Sequence, residues 1–232
     1  MVFSLSACNG DSTTSPTDGD NPIPRYTYTS PDGFFINDDI LSWMLVDSTR
    51  ESEGVVVGLF HWDTFYITDS YSWKNGKLKT VGLTNAPDQG FFYGANWKTE
   101  VTFSENFKHA SISSRTNYFS FSDSFTNNTK SLIELPKVIG THTNSADGST
   151  WNLQKNGYFI INGECTISGT ALKTNFYYRV VNAEATGCSD ADKNNTNYGG
   201  VVVAFNYKGK IYLNGVFKNN SAILRVNVPI VE

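Results

Sequence analysis

The sequence predicts an all-β protein built as an antiparallel meander, and three observations carry the prediction. Apolar residues alternate with polar ones at a period of two: Ile211, Leu213 and Phe217 against Tyr212, Asn214 and Lys218, then Leu224, Val226 and Val228 against Arg225 and Asn227. The same alternation sets Trp97, Thr99, Val101 and Phe103 against Lys98, Glu100 and Thr102. Asn75-Gly76 and Asn156-Gly157 stand between such runs, and Asn-Gly accepts the positive φ of a two-residue type I′ hairpin, as Lys208-Gly209 also does. No segment repeats apolar residues at the spacing of a helical stripe.

Taken in order, the chain opens on Leu5-Ser6-Ala7-Cys8, a Leu, two small residues and a Cys. That is the lipobox of bacterial lipoprotein processing, which would acylate Cys8 and anchor the protein in a membrane. Residues 1–7 are too few for the basic and apolar regions of a secretory signal and read as its remnant. Residues 8–31 continue from Cys8 as nearly all Gly, Ser, Thr, Asp, Asn and Pro, which cannot bury enough apolar surface to offset the entropy of ordering. They read as a flexible tether with a mean reach of about 25 Å.

Beyond the tether, turn chemistry and alternation predict about fourteen strands, near residues 40–47, 54–61, 63–73, 77–83, 97–103, 108–114, 117–122, 131–135, 150–154, 157–162, 164–172, 175–182, 199–207 and 210–228, the last counting as two. So long an antiparallel meander closes or splits, because open edges invite aggregation. About eight candidate strands follow Gly140, the number that closes a small barrel. The expected architecture is an N-terminal β domain over 32–138, a partial barrel or curved sheet, packed with a C-terminal barrel over 139–232, the join lying near Pro136 to Gly140. One larger sandwich or barrel is the alternative. The strands are short and carry Lys, Arg, Glu and Asn on one face, unlike the lipid-facing strands of a transmembrane barrel.

Composition agrees with an extracytoplasmic β protein: 39% hydrophobic, 14% aromatic and 17% charged residues, so Ser, Thr, Asn and Gly supply most of the polar surface. A net charge of −4 with no basic cluster excludes a phosphate-neutralising surface, and hence nucleic acid as a partner. With Cys8 lipidated, Cys165 and Cys188 remain as an even pair for a disulfide in an oxidising compartment.

With its lipobox, tether and strand pattern, the chain resembles Gram-negative lipoproteins that carry a soluble antiparallel barrel. Factor H binding and transferrin-binding lipoproteins, which pair an N-terminal sheet domain with a C-terminal eight-stranded barrel, are examples. The resemblance implies anchoring and architecture and names no ligand. Asn9 follows Cys8 where an Asp would favour inner-membrane retention in enteric bacteria, which points to the outer membrane.

Chemistry-bearing residues are sparse. The sequence contains no G-x-S-x-G elbow, H-E-x-x-H pair or P-loop, and its three histidines, His61, His109 and His142, are far apart. His61 and Asp63 could share a strand face. Asp38, Asp39, Glu51 and Glu53 supply the carboxylates that a glycosidase needs in a pair across a sugar. Asp190, Asp192 and Asn194 match the first, third and fifth positions of a calcium loop, but Asn195 stands where its Gly belongs and Val201 where its Glu does. No cofactor is expected. Phe91, Phe92 and Tyr93 follow Asp88-Gln89-Gly90 and are the leading exposed aromatic patch. These features point to a non-enzymatic binding lipoprotein for a protein partner or small apolar ligand, with an envelope glycan hydrolase as the alternative.

Overall fold

Alternation with few helix signals resolves into sixteen strands in two eight-stranded antiparallel sheets among the residues described by the computed structural model, 30–50, 54–59, 64–87 and 90–230. Cys8, most of the tether, Glu51, Glu53, His61 and Asp63 lie outside the described residues. The first sheet comprises β1 (Gly33–Asn37), β2 (Ser42–Val46), β3 (Val55–Leu59), β4 (Thr64–Lys74), β5 (Lys77–Ala86), β6 (Phe92–Phe103), β7 (His109–Arg115) and β8 (Ser120–Asn127). Each strand pairs with the next, and the Phe35↔Asn127 and Ile36↔Thr126 pairs between β1 and β8 close the sheet into a barrel.

Residues 128–139 lead to the second sheet through two short 3-10 turns, Thr129–Ser131 and Leu135–Val138. That sheet comprises β9 (Gly140–Thr143), β10 (Thr150–Leu153), β11 (Tyr158–Asn162), β12 (Thr166–Lys173), β13 (Tyr178–Thr186), β14 (Asn195–Tyr207), β15 (Lys210–Lys218) and β16 (Ile223–Ile230). Its order is a plain meander, and its end strands β9 and β16 approach without joining in a ladder. The expected pair of β units is present, with full closure in the N-terminal unit and near closure in the C-terminal one.

Continuous apolar runs explain how the two units join. In GFFIN, SWMLV, VVVGL and TFYIT, successive residues point to opposite faces of the barrel wall. Phe35, Met44, Val46, Val55, Val57 and Tyr66 fill the first barrel, whereas Phe34, Ile36, Trp43, Leu45, Val56, Phe65 and Ile67 face outward. The outward set packs on Tyr177, Val201, Val203, Phe205 and Val216 of the second unit. The second barrel has its own core, which includes Trp151, Phe159, Val202, Leu213 and Phe217. The strands at this junction are therefore buried on both faces. Gly58 lets two rings lie against β3, since a Cβ there would sit 2.8 Å from Phe65 and 3.0 Å from Trp43.

Polar bonds cross the junction as well. Tyr177 Oη donates to Asp47 Oδ2 at 2.7 Å with both side chains buried, and Lys218 Nζ lies 3.8 Å from Asp69 Oδ1.

Three local expectations are revised. Asn75-Gly76 (φ 52° and 71°) and Lys208-Gly209 (φ 49° and 80°) form the expected turns, but at Lys155-Asn156-Gly157 only Gly157 has positive φ, at 84°. Gly157 N donates to Gln154 O at 3.0 Å, the pattern of a three-residue connection whose glycine takes the left-handed position. Residues 131–135 are not a strand: 3-10 turns flank a single bridge, Leu132↔Phe205. β1 and β9 lacked a sequence signal, because β1 is apolar on both faces and β9 is only four residues long, GTHT.

Candidate functional site

Reversal of direction at every strand puts the β9–β10, β11–β12, β13–β14 and β15–β16 connections at one end of the second barrel. At that end, beside the flank of β16 that joins no ladder among the described residues, a cleft of about 710 Å³ opens between the two units. Asp147 and Ser149 line it from the first connection, Gly163, Glu164 and Cys165 from the second, Asp190, Asp192 and Lys193 from the third, and Ser221 and Ala222 from the fourth. Ile161, Ile167, Leu224 and Val226 form its apolar floor, where the second barrel core reaches the opening. The first barrel supplies the opposite wall with Ala86, Pro87, Gly90 and Phe91 from its β5–β6 connection.

The rim is braced covalently and by charge. A Cys165–Cys188 disulfide ties the second connection to the third. Lys193 Nζ contacts Glu164 Oε1 at 2.9 Å and Ser189 Oγ donates to the same oxygen at 3.2 Å. The Lys193 hydrogen bond, with smaller help from its charge, holds the Glu164 carboxyl below its ordinary range against the opposing effect of burial. Hydrogen bonds from the Ser149 side chain and backbone hold Asp147 low in the same direction. Tyr198 Oη, in the buried base of this loop, donates to Lys193 O at 2.9 Å and fixes the lysine's backbone.

Several sequence candidates that lie far apart in the chain meet here. Phe91 is half-buried in the cleft wall, Cys165 sits in the rim, and Asp190 and Asp192 face the same opening. Phe92 and Tyr93 stand beyond it at 52% and 51% exposure, the Tyr93 hydroxyl donating to Asp69 Oδ2 at 2.6 Å. That bond to Asp69 raises the Tyr93 pKa.

The calcium-like spacing serves the loop itself. Asp190 Oδ1 accepts from Asp192 N at 3.0 Å, and Asn194 closes the loop by accepting from Cys188 N at 2.9 Å and donating to Cys188 O at 3.2 Å. Among the described residues, no group of three His, Cys, Asp or Glu side chains is arranged to hold a metal ion.

The carboxylates Asp38 and Asp39 lie elsewhere, exposed in the β1–β2 turn of the first barrel. They line a shallow surface groove of about 650 Å³ with Ser104, His109, Ser124 and Thr126. Tyr207 Oη donates to Asp38 O at 2.6 Å and Asp39 N to Asn37 Oδ1 at 2.9 Å, so this turn is anchored through its backbone. His142 is structural, its Nε2 lying 2.8 Å from Val138 O.

Sequence reasoning missed Asp147, Glu164, Lys193 and Arg225. For Glu164 and Lys193 the signal was indirect, a disulfide that brings two charged hairpin connections together; Asp147 and Arg225 had none. No helix among the described residues is long and apolar enough to cross a membrane. No protein-family model, curated protein or solved structure matches this chain.

Proposed function

We propose that the protein is a lipid-anchored, extracytoplasmic binding protein of the outer membrane that takes a protein segment or small apolar ligand in the cleft between its barrels. The observation that carries this reading is the cleft itself, an opening of about 710 Å³ with an apolar floor and a charged rim braced by a disulfide. Barrel mouths and junctions between packed units are favoured ligand sites, because concave apolar surface stays accessible there without exposing a whole core. The lipobox at Cys8 and the tether over 8–31 support the anchoring half of the proposal.

The two halves are tested separately. Palmitate labelling and membrane fractionation of cells expressing the full chain should lose the label and release the protein with Cys8→Ala, and unchanged fractionation would overturn the anchor. Nile red, a neutral apolar dye, should bind the full chain saturably and several-fold more weakly after Phe91→Ala; binding indifferent to that change would overturn the cleft.

A second reading, a glycan hydrolase, draws on the groove that holds Asp38, Asp39 and His109 together. Activity on a panel of envelope glycans that disappears with Asp38→Asn or Asp39→Asn would favour it over the binding reading.

A further inference from the structure

We propose that an extended, basic segment of a partner protein completes the cleft by adding as a strand to the open edge of β16. The inference rests on the cleft being the ligand site. Among the described residues, β16 pairs with a strand on one side only, through its ladder to β15.

Two independent observations show which β16 backbone groups face the other side. Pro229 stands opposite Tyr212 within the ladder, and a proline is tolerated in a strand where its nitrogen points away from the neighbour. Asn227 O accepts from Asn144 Nδ2, at the end of β9, at 3.4 Å, so this carbonyl also points away from β15. The N–H and C=O of one residue in an antiparallel strand point the same way, and the direction alternates along the chain. Ile223 therefore presents its backbone donor and acceptor toward the cleft, with Asn227 at the far end of a stretch about 13 Å long. Beside this stretch β9 has already ended at Thr143, and the chain turns back at residues 144–149.

The surroundings specify the occupant. Asp147, Glu164, Asp190 and Asp192 oppose Lys193 and Arg225, so the cleft carries two more negative than positive side chains, and Lys193 already serves Glu164. On the other face, Ile161, Ile167 and Leu224 receive apolar side chains. A strand alternating apolar and basic residues satisfies both faces, with main-chain bonds supplying affinity and the side-chain pockets selectivity.

The test pans a phage-displayed octapeptide library on the immobilised full chain, then measures resynthesised winners by fluorescence anisotropy. Winners should alternate apolar with Lys or Arg. Methylating the peptide nitrogens that face β16 should weaken binding at least about ten-fold, as should replacing the basic residues by Glu. Ile223→Pro should weaken binding about as much, and a thermal melt checks that the variant folds. No saturable winner, or winners indifferent to N-methylation, overturns strand addition. Nile red separates the two failures: if the dye still binds in a Phe91-dependent way, the cleft stands and only the strand falls, whereas loss of both removes the cleft reading as well.

Discussion

Tyr177 and Asp47 meet across the junction at 2.7 Å with both residues almost wholly buried, and burial together with the Asp47 bond pushes the Tyr177 hydroxyl far above its ordinary range. Tyr177 therefore stays a donor across the whole range in which proteins fold. Tyr177→Phe removes the donor and leaves a buried carboxylate oxygen short of a partner, so urea melts should show a loss of about 1.5–3 kcal/mol. At the cleft rim, the lowered Glu164 and Asp147 keep the opening negative into acid. A carboxylate held low when folded adds stability above its unfolded value, and that contribution disappears as pH falls through the folded value. Glu164 is more than half exposed, so its share is small after solvent screening. Its titration is the better reporter: NMR should show the Glu164 midpoint rise toward the ordinary range in Lys193→Ala.

Among elements, the β11–β12 and β13–β14 connections depend most on a single bond. The Cys165–Cys188 disulfide spans 23 residues and closes a loop whose reduction should lower stability by about 3 kcal/mol in the chain-entropy account. Cys165→Ser with Cys188→Ser should lower the melting temperature and weaken Nile red binding together, because the same bond holds two walls of the cleft; calorimetry and dye titration on one sample check both. β14 depends instead on a close approach. A Cβ at Gly200 would lie 2.1 Å from Val216 O in the neighbouring strand, and backbone cannot yield as a side chain does. Gly200→Ala should therefore part β14 from β15 and appear as accelerated amide exchange in both strands.

For the whole molecule, the decisive layer is the apolar one shared by the barrels. Phe205 is fully buried there and packs against Phe34 in a tilted arrangement at 5.1 Å between centroids, with Trp43 and Phe65 close behind. So much shared surface predicts one cooperative unfolding transition for the described body. Phe205→Ala should remove about 3–5 kcal/mol and split that transition in two, as each barrel keeps its own interior core. A single sharp transition in the variant would show that the rest of the shared layer couples the units without Phe205.

The sequence by itself determined the strand content, the antiparallel order and the Asn75-Gly76 and Lys208-Gly209 hairpins, because period-two alternation and positive-φ turns are local physics. It also made Cys165 and Cys188 an evident pair. It was mute about β1, since Phe34 and Phe35 are equally apolar and alternation vanishes wherever both faces are buried. Tertiary structure alone decided which barrel closes, because closure depends on β1 meeting β8 some 90 residues later in the chain. It also decided that Phe91, Glu164, Asp190 and Arg225 share one opening. No local pattern links residues on three separate connections and the start of β16; only the direction of each strand and the packing of one barrel on the other bring them together.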